Sequence, residues 1–207
     1  MMDEPIIIGE TEYEKFLGVS TKDNVYNSLR CEHYNIYEPT SYCALQTLFN
    51  EFPLDPYDTI VDFGCGKGRV LFYCNQRFLC NVKGIEHDDD VYELLENNKA
   101  YYSTRFRGQE SKISLYHGNC EDYEIQESDN VFYFFNPFDH VVFDRIIDRI
   151  VKSTEQNPRK VSVIMYYPED GYKKVMKDKG FALHKLIRLP NYDLDVDEKI
   201  YIYEFLA

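Results

Sequence analysis

The chain has 207 residues, 44% of them hydrophobic and 29% charged, and 36 acids against 23 Lys and Arg leave a net charge of −13. That length and composition suit one globular domain, able to bury about 70% of its unfolded-state surface. The acidity weighs against RNA or DNA as a partner, because phosphate binding needs Lys and Arg on the binding face. No apolar run is long enough to span a membrane.

The stretch Met1–Ile8 has neither the basic opening nor the apolar length of a secretory signal. Six cysteines (Cys31, Cys43, Cys65, Cys74, Cys80 and Cys120) show no metal or disulfide spacing. They read as reduced packing residues of a cytoplasmic protein. Residues 1–58 carry 11 acids and three bases and form an N-terminal cap segment ahead of the main unit, residues 59–207. Within the cap, residues 43–49 read as a helix that Pro39 or Thr40 begins.

From residue 59 strand-like and helix-like segments alternate. The spacing predicts strands at 59–63, 82–86, 112–116, 131–135, 160–166, 181–189 and 197–205, with helices at 68–76, 90–107, 140–152 and 170–179. This alternation gives an α/β fold with a mainly parallel sheet and helices on both faces. In the helix at 90–107, Val91, Leu94, Leu95, Tyr101 and Tyr102 make an irregular apolar face, and in the helix at 140–152, Val142, Phe143, Ile146, Ile147 and Ile150 recur at helical spacing. Gly180 suits a helix C-terminus. Only residues 190–196 separate the last two strands, too few for a crossover helix, so they form an antiparallel hairpin.

The first strand runs into Asp62-Phe63-Gly64-Cys65-Gly66-Lys67-Gly68. Glycines at alternate positions let the backbone turn sharply and approach a ligand, and the helix that follows points its N-terminus at the same place. A dinucleotide fingerprint needs Gly at its first, third and sixth positions; counted from Gly64, the sixth is Arg69. The second strand ends at Glu86, 22 residues after Gly64, near the distance at which an acid meets ribose hydroxyls in such folds. The third strand leads to Asn119 and Cys120, and the fourth ends in Asn136-Pro137-Phe138.

The pattern Asp-x-Gly-x-Gly-x-Gly resembles motif I of the class I (Rossmann-like) S-adenosylmethionine (SAM)-dependent methyltransferases, and the later acids and turns fall in that family's order. The resemblance implies a seven-stranded sheet ordered 3-2-1-4-5-7-6 and SAM as cofactor. It places the methionine part at Gly64, Gly66 and Gly68, with Asp62 orienting the loop. It gives the ribose to Glu86 and the adenine to Asn119, where the family often has Asp, with the Cys120 amide beside the ring. Thr40 and the N-terminal segment are expected to cover the cofactor. Asn136-Pro137-Phe138 resembles the Asn/Asp-Pro-Pro-aromatic motif of methyltransferases acting on planar or amide nitrogen, with one proline where the family has two. The resemblance makes Asn136, Pro137 and Phe138 the catalytic candidates.

Methyl transfer from a sulfonium needs positioning rather than an enzymic nucleophile. No Ser/His/Asp or Cys/His set is present, and no spacing supports a metal. Tyr34, Tyr37, Tyr42, Tyr166 and Tyr167 are candidates to line the acceptor pocket, with core packing as the alternative. His117 and His140 follow strands on the cofactor side, while His33, His87 and His184 are scattered. Lys173, Lys174, Lys177, Lys179, Lys185 and Arg188 form a local basic cluster with Asp178 the only acid among them, either a solvated face or a nucleic-acid contact. The expected acceptor is a nitrogen of a protein, peptide or small amine, since an acidic N-terminal segment suits a basic substrate. The alternatives are rRNA or another nucleic acid, an NAD-type oxidoreductase, and a SAM-binding regulatory or partner subunit without activity.

Overall fold

The computed structural model describes residues 9–22 and 38–206. Cys31, His33, Tyr34, Tyr37 and the stretch Met1–Ile8 lie outside the described residues.

Seven strands form one sheet: β1 (Thr59–Phe63), β2 (Asn81–Glu86), β3 (Ile113–His117), β4 (Val131–Phe135), β5 (Lys160–Tyr166), β6 (Ala182–Arg188) and β7 (Lys199–Leu206). Their order is β3-β2-β1-β4-β5-β7-β6, as the resemblance implied. The first five are parallel; β7 runs antiparallel to β5 and to β6. Every residue of β1 is buried, because helices cover both faces of the sheet and a central strand has no solvated side.

The helices are α1 (Glu10–Leu17), α2 (Tyr42–Glu51), α3 (Arg69–Phe78), α4 (Asp89–Arg105), α5 (His140–Gln156) and α6 (Asp170–Asp178). Leu17, Leu45, Leu48, Phe49, Val70, Phe72 and Leu95 pack from α1–α4 onto Ile60, Val82 and Tyr133. On the other face Val142, Phe143, Ile146, Ile147 and Ile150 of α5 meet Val61, Phe63, Phe132 and Phe134. Phe63 stacks on Phe134 with centroids 4.9 Å apart and planes 5° apart. Gly180 follows α6 with φ 84, the left-handed turn that ends a helix cheaply only at glycine.

The structure differs from the sequence reading at three places. α2 starts at Tyr42, where Ser41 caps it by accepting the Ala44 amide at 3.1 Å; Pro39 and Thr40 lie before the helix. In α4, Leu94 and Tyr101 are exposed while Asn98 is buried beside Val91, Leu95 and Tyr102, because a polar contact fills part of that face. α1 was not anticipated, although Glu10 and Glu12 in its first turn and Gly18 after its last residue are ordinary helix-end signals.

Candidate functional site

Parallel pairing places the ends of β1–β5 along one edge of the sheet. Because β7 runs the other way, with Tyr166 opposite Ile200, the connection from Leu189 to Glu198 reaches that same edge. The candidates at the ends of β1, β2, β3 and β4 (Gly64, Glu86, Asn119 and Asn136) therefore lie along that edge.

The glycine loop is built by backbone bonds. Gly64 N and Cys65 N both donate to the Ile85 carbonyl, at 3.0 and 2.9 Å, and Gly68 N donates to Cys65 O at 2.9 Å. Gly64, Gly66 and Gly68 have φ of 77°, 54° and 86°, a region that side chains disfavour. Space is a second constraint. A Cβ on Gly64 would lie 2.7 Å from Pro137 Cβ, and one on Gly68 would lie 2.6 Å from Leu95. The loop after β1 thus touches the Asn136-Pro137 corner after β4.

Two acids lie under the loop. The Glu86 carboxylate is buried and accepts Gly66 N at 3.0 Å, His87 N at 2.8 Å and Asp88 N at 2.9 Å. The neighbouring Asp88, not Glu86, caps α4. Asp62 is 3% exposed. Burial holds its carboxyl well above the usual range, and the Glu86 charge adds to the effect. Beside Glu86, the His87 imidazole is raised by its hydrogen bond to that carboxylate.

Asn119 is exposed, with its amide donating to Asp122 at 3.4 Å. Cys120 is buried, and burial pushes its thiol up. The hydroxyl of Thr40 is 2.7 Å from that of Tyr133 on β4, and its carbonyl accepts from Arg69.

Asn136 and Pro137 are half-buried at the edge. Phe138 is not an edge residue: its ring is fully buried at 6.0 Å from Phe134, and its carbonyl accepts the Tyr172 hydroxyl at 2.5 Å. Its expected place against an acceptor is corrected to core packing, because α5 and α6 close over it. The aromatic groups beside Asn136 are Phe135, Tyr166 and Tyr167. Phe135 lies 4.5 Å from Tyr166 and 5.9 Å from Tyr167. The Tyr166 hydroxyl donates to Glu198 at 3.0 Å and that of Tyr167 to Asp195 at 2.7 Å. Asn136 (φ 40) and Tyr167 (φ 48) are two of three non-glycine residues with positive φ among those described. Since Phe135 pairs with Tyr166, these two strained residues follow neighbouring strand ends.

Tyr42 does not reach this corner; it is buried against Tyr13 and Arg69. His117 bonds Asp89 at 3.0 Å and stacks on Tyr92, His140 is 3.7 Å from Glu169, and His184 is 3.3 Å from Glu204. Among the described residues no group of His, Cys, Asp and Glu could hold a metal, and no helix is long and apolar enough to cross a membrane. Within the basic cluster, Lys179 pairs with Asp144 and Asp148, Lys185 with Glu51, while Lys173 lies over Tyr201 and Arg188 over Tyr192.

In its fold the chain is similar to Rossmann-like methyltransferases. Among solved structures, an RNA methyltransferase from Salinibacter ruber in complex with S-adenosyl-L-homocysteine aligns with a TM-score of 0.59 and 15% identity, over 82% of this chain and 93% of that one. Precorrin-6y C5,15-methyltransferase from Geobacter metallireducens gives 0.57 and 11%, over 81% and 87%. A SAM-dependent methyltransferase from Aquifex aeolicus gives 0.54 and 10%, over 78% and 88%. No family model matches the sequence. In sequence the chain is similar to the H3 lysine-79-specific histone-lysine N-methyltransferase of Dictyostelium discoideum, 29% identical over 121 residues. The match covers 54% of this chain and 6% of that much longer relative.

Proposed function

We propose that the protein is a SAM-dependent methyltransferase acting on a nitrogen of a cationic acceptor, a protein or peptide side chain or a small amine. The observation that carries the reading is the contact between Gly64 and Pro137, which leaves no room for a Cβ between them. It sets the cofactor loop directly against the corner that holds Asn136.

The residues fit SAM. The three glycines present no side chain to block a ligand, and the buried acids Asp62 and Glu86 suit a ligand that carries an amino group and ribose hydroxyls. When bound, SAM supplies an electrophilic methyl on a sulfonium. Gly64, Gly66 and Gly68 would hold its methionine part, Asp62 would take the amino group, Glu86 the ribose, and Asn119 with the Cys120 amide the adenine. Asn136 would accept a hydrogen bond through its side-chain carbonyl from the acceptor nitrogen in its neutral form, after that nitrogen has released its proton to solvent, and so direct the lone pair. Phe135, Tyr166 and Tyr167 would flank a cation, with Asp195 and Glu198 behind the phenols.

The similarity to a histone-lysine methyltransferase points toward a protein lysine; the Salinibacter neighbour is an RNA methyltransferase. Asp195 and Glu198 beside the aromatic corner, and the engagement of Lys179 and Lys185 in ion pairs, favour the protein. The test is incubation with labelled SAM and cell extract, followed by protease or nuclease on separate portions. Label lost to protease supports the proposal. Label lost only to nuclease overturns the acceptor class, and failure to bind SAM or its product overturns the activity.

A further inference from the structure

The structure contains a buried charged group for which the chemistry above has no use. Arg69, the first residue of α3 and the neighbour of Gly68, is 3% exposed. Its guanidinium is bonded to Glu10, Glu14, Thr21 and Thr40. Nε donates to Thr21 Oγ1 at 2.6 Å, Nη1 to Glu10 Oε2 at 2.6 Å and to the Thr40 carbonyl at 3.1 Å, and Nη2 to Glu14 Oε1 at 3.2 Å. The guanidinium Cζ lies 4.5 Å from the centre of the Tyr42 ring. The other oxygen of Glu10 accepts the Tyr42 amide at 2.7 Å, and Glu14 also accepts Thr21 N at 2.8 Å.

Every one of these partners precedes β1. A second link runs parallel to the first. Asn98 of α4 accepts Ser20 N at 2.9 Å through its oxygen, and its amide donates to Ser20 O at 3.2 Å and to Lys67 O at 3.0 Å. Residues 20–21 are therefore fixed to the glycine loop twice, at Lys67 by Asn98 and at Arg69 by its own fork.

We infer that Arg69 is a positioning residue for the cofactor: it locks α1 and Thr40 to the head of α3, so that the N-terminal segment and the glycine loop are ordered together. This rests on the reading that the loop holds SAM. The physical reason is shared ordering. A ligand that fixes the loop also fixes what is bonded to it, and a segment already docked lowers the ordering cost of binding. The fork matters as well as the charge, since four acceptors on three nitrogens at fixed angles cannot be met by an ammonium.

The experiment measures S-adenosylhomocysteine (SAH) binding by calorimetry and amide hydrogen exchange with and without SAH. In the parent protein SAH slows exchange in α1 as well as in residues 64–70, because coupling between sites is reciprocal. Arg69→Lys weakens SAH binding by about tenfold or more, raises KM for SAM more than it lowers kcat, and abolishes the SAH-dependent protection of α1. Glu10→Gln, which keeps an oxygen for the Tyr42 amide, moves each quantity the same way and serves if Arg69→Lys does not fold. Lys185→Gln, which breaks a surface pair with Glu51, leaves SAH affinity unchanged. Parent-like affinity in both variants overturns the inference. So does SAH protecting α1 equally in Arg69→Lys, which would make the arginine a structural tie alone. A parent protein that binds no SAH overturns the methyltransferase reading instead.

Discussion

Substituting Gly64 with alanine tests the contact on which the site depends. Two costs are expected. At φ 77 a side chain is strained by roughly 1–2 kcal/mol. The new Cβ would also lie 2.7 Å from Pro137 Cβ, closer than carbon atoms approach, and relieving such overpacking costs about 1–3 kcal/mol. Gly108 separates the two terms: its φ is 86, and a Cβ there meets nothing within 4 Å, so Gly108→Ala carries the strain alone. A chain of this size loses about 2–4 °C of Tm per kcal/mol. Thermal melts should then place Gly64→Ala roughly 4–20 °C below the parent and Gly108→Ala roughly 2–8 °C below it. A double-mutant cycle with Pro137→Gly, which removes the opposing atom, should recover about 0.5–3 kcal/mol as coupling. If Gly64→Ala melts no lower than Gly108→Ala, or the cycle shows no coupling, the two loops do not meet as described and the argument joining cofactor and acceptor fails.

The buried acid gives a pH test. The folded state holds Asp62 protonated above the ordinary carboxylate range, so it binds more protons than the unfolded chain there, and stability falls as pH rises through that window, by at most about 1.4 kcal/mol per unit. Asp62→Asn should remove this slope and raise the ligand-free Tm at pH 7 more than at pH 4, while weakening SAH binding; an equal Tm change at both pH values refutes it. Glu86→Gln should stay folded and bind SAH less tightly, and calorimetry showing unchanged affinity would remove it from the site. Asn136→Ala should cut turnover by about 100-fold, equivalent to about 2.7 kcal/mol of transition-state stabilisation, with SAH affinity unchanged; Asn136→Gly, which relieves the positive φ, should lose turnover equally, and full activity in either would make Asn136 a turn residue only. Asp195→Asn should raise KM for a cationic acceptor more at low salt than at high salt, and an effect independent of salt would refute an electrostatic role.

How much of this was written legibly in the sequence depends on what kind of interaction each residue makes. The strands at 59–63, 131–135 and 160–166 match the structure residue for residue, because a central strand's apolar run and its bounding turns are local signals. The antiparallel hairpin followed from chain length alone. Phe138 misled because an aromatic after Asn-Pro looks alike whether its ring faces a ligand or lies beneath α5 and α6; only the packing decides. Leu94 and Tyr101 misled in the converse way, since periodicity ranks apolar residues for burial and cannot see that Asn98 has partners at Ser20 and Lys67.

Arg69 shows where a further cue lay. A cation at the first position of a helix opposes the helix dipole, so this arginine is unfavourable by local rules and calls for acids from elsewhere. The N-terminal segment, with its 11 acids and three bases, supplies Glu10 and Glu14. The charge excess that reads as attraction for a basic substrate is thus in part internal: two of those carboxylates face an arginine of the same chain. Beyond β5, Asp195 and Glu198 hold the phenols of Tyr167 and Tyr166 beside Asn136. On the proposed reading, cofactor order draws on the N-terminal acids and acceptor charge selection on Asp195 and Glu198, and the two come together at the edge where β1 and β4 place Gly64 against Pro137.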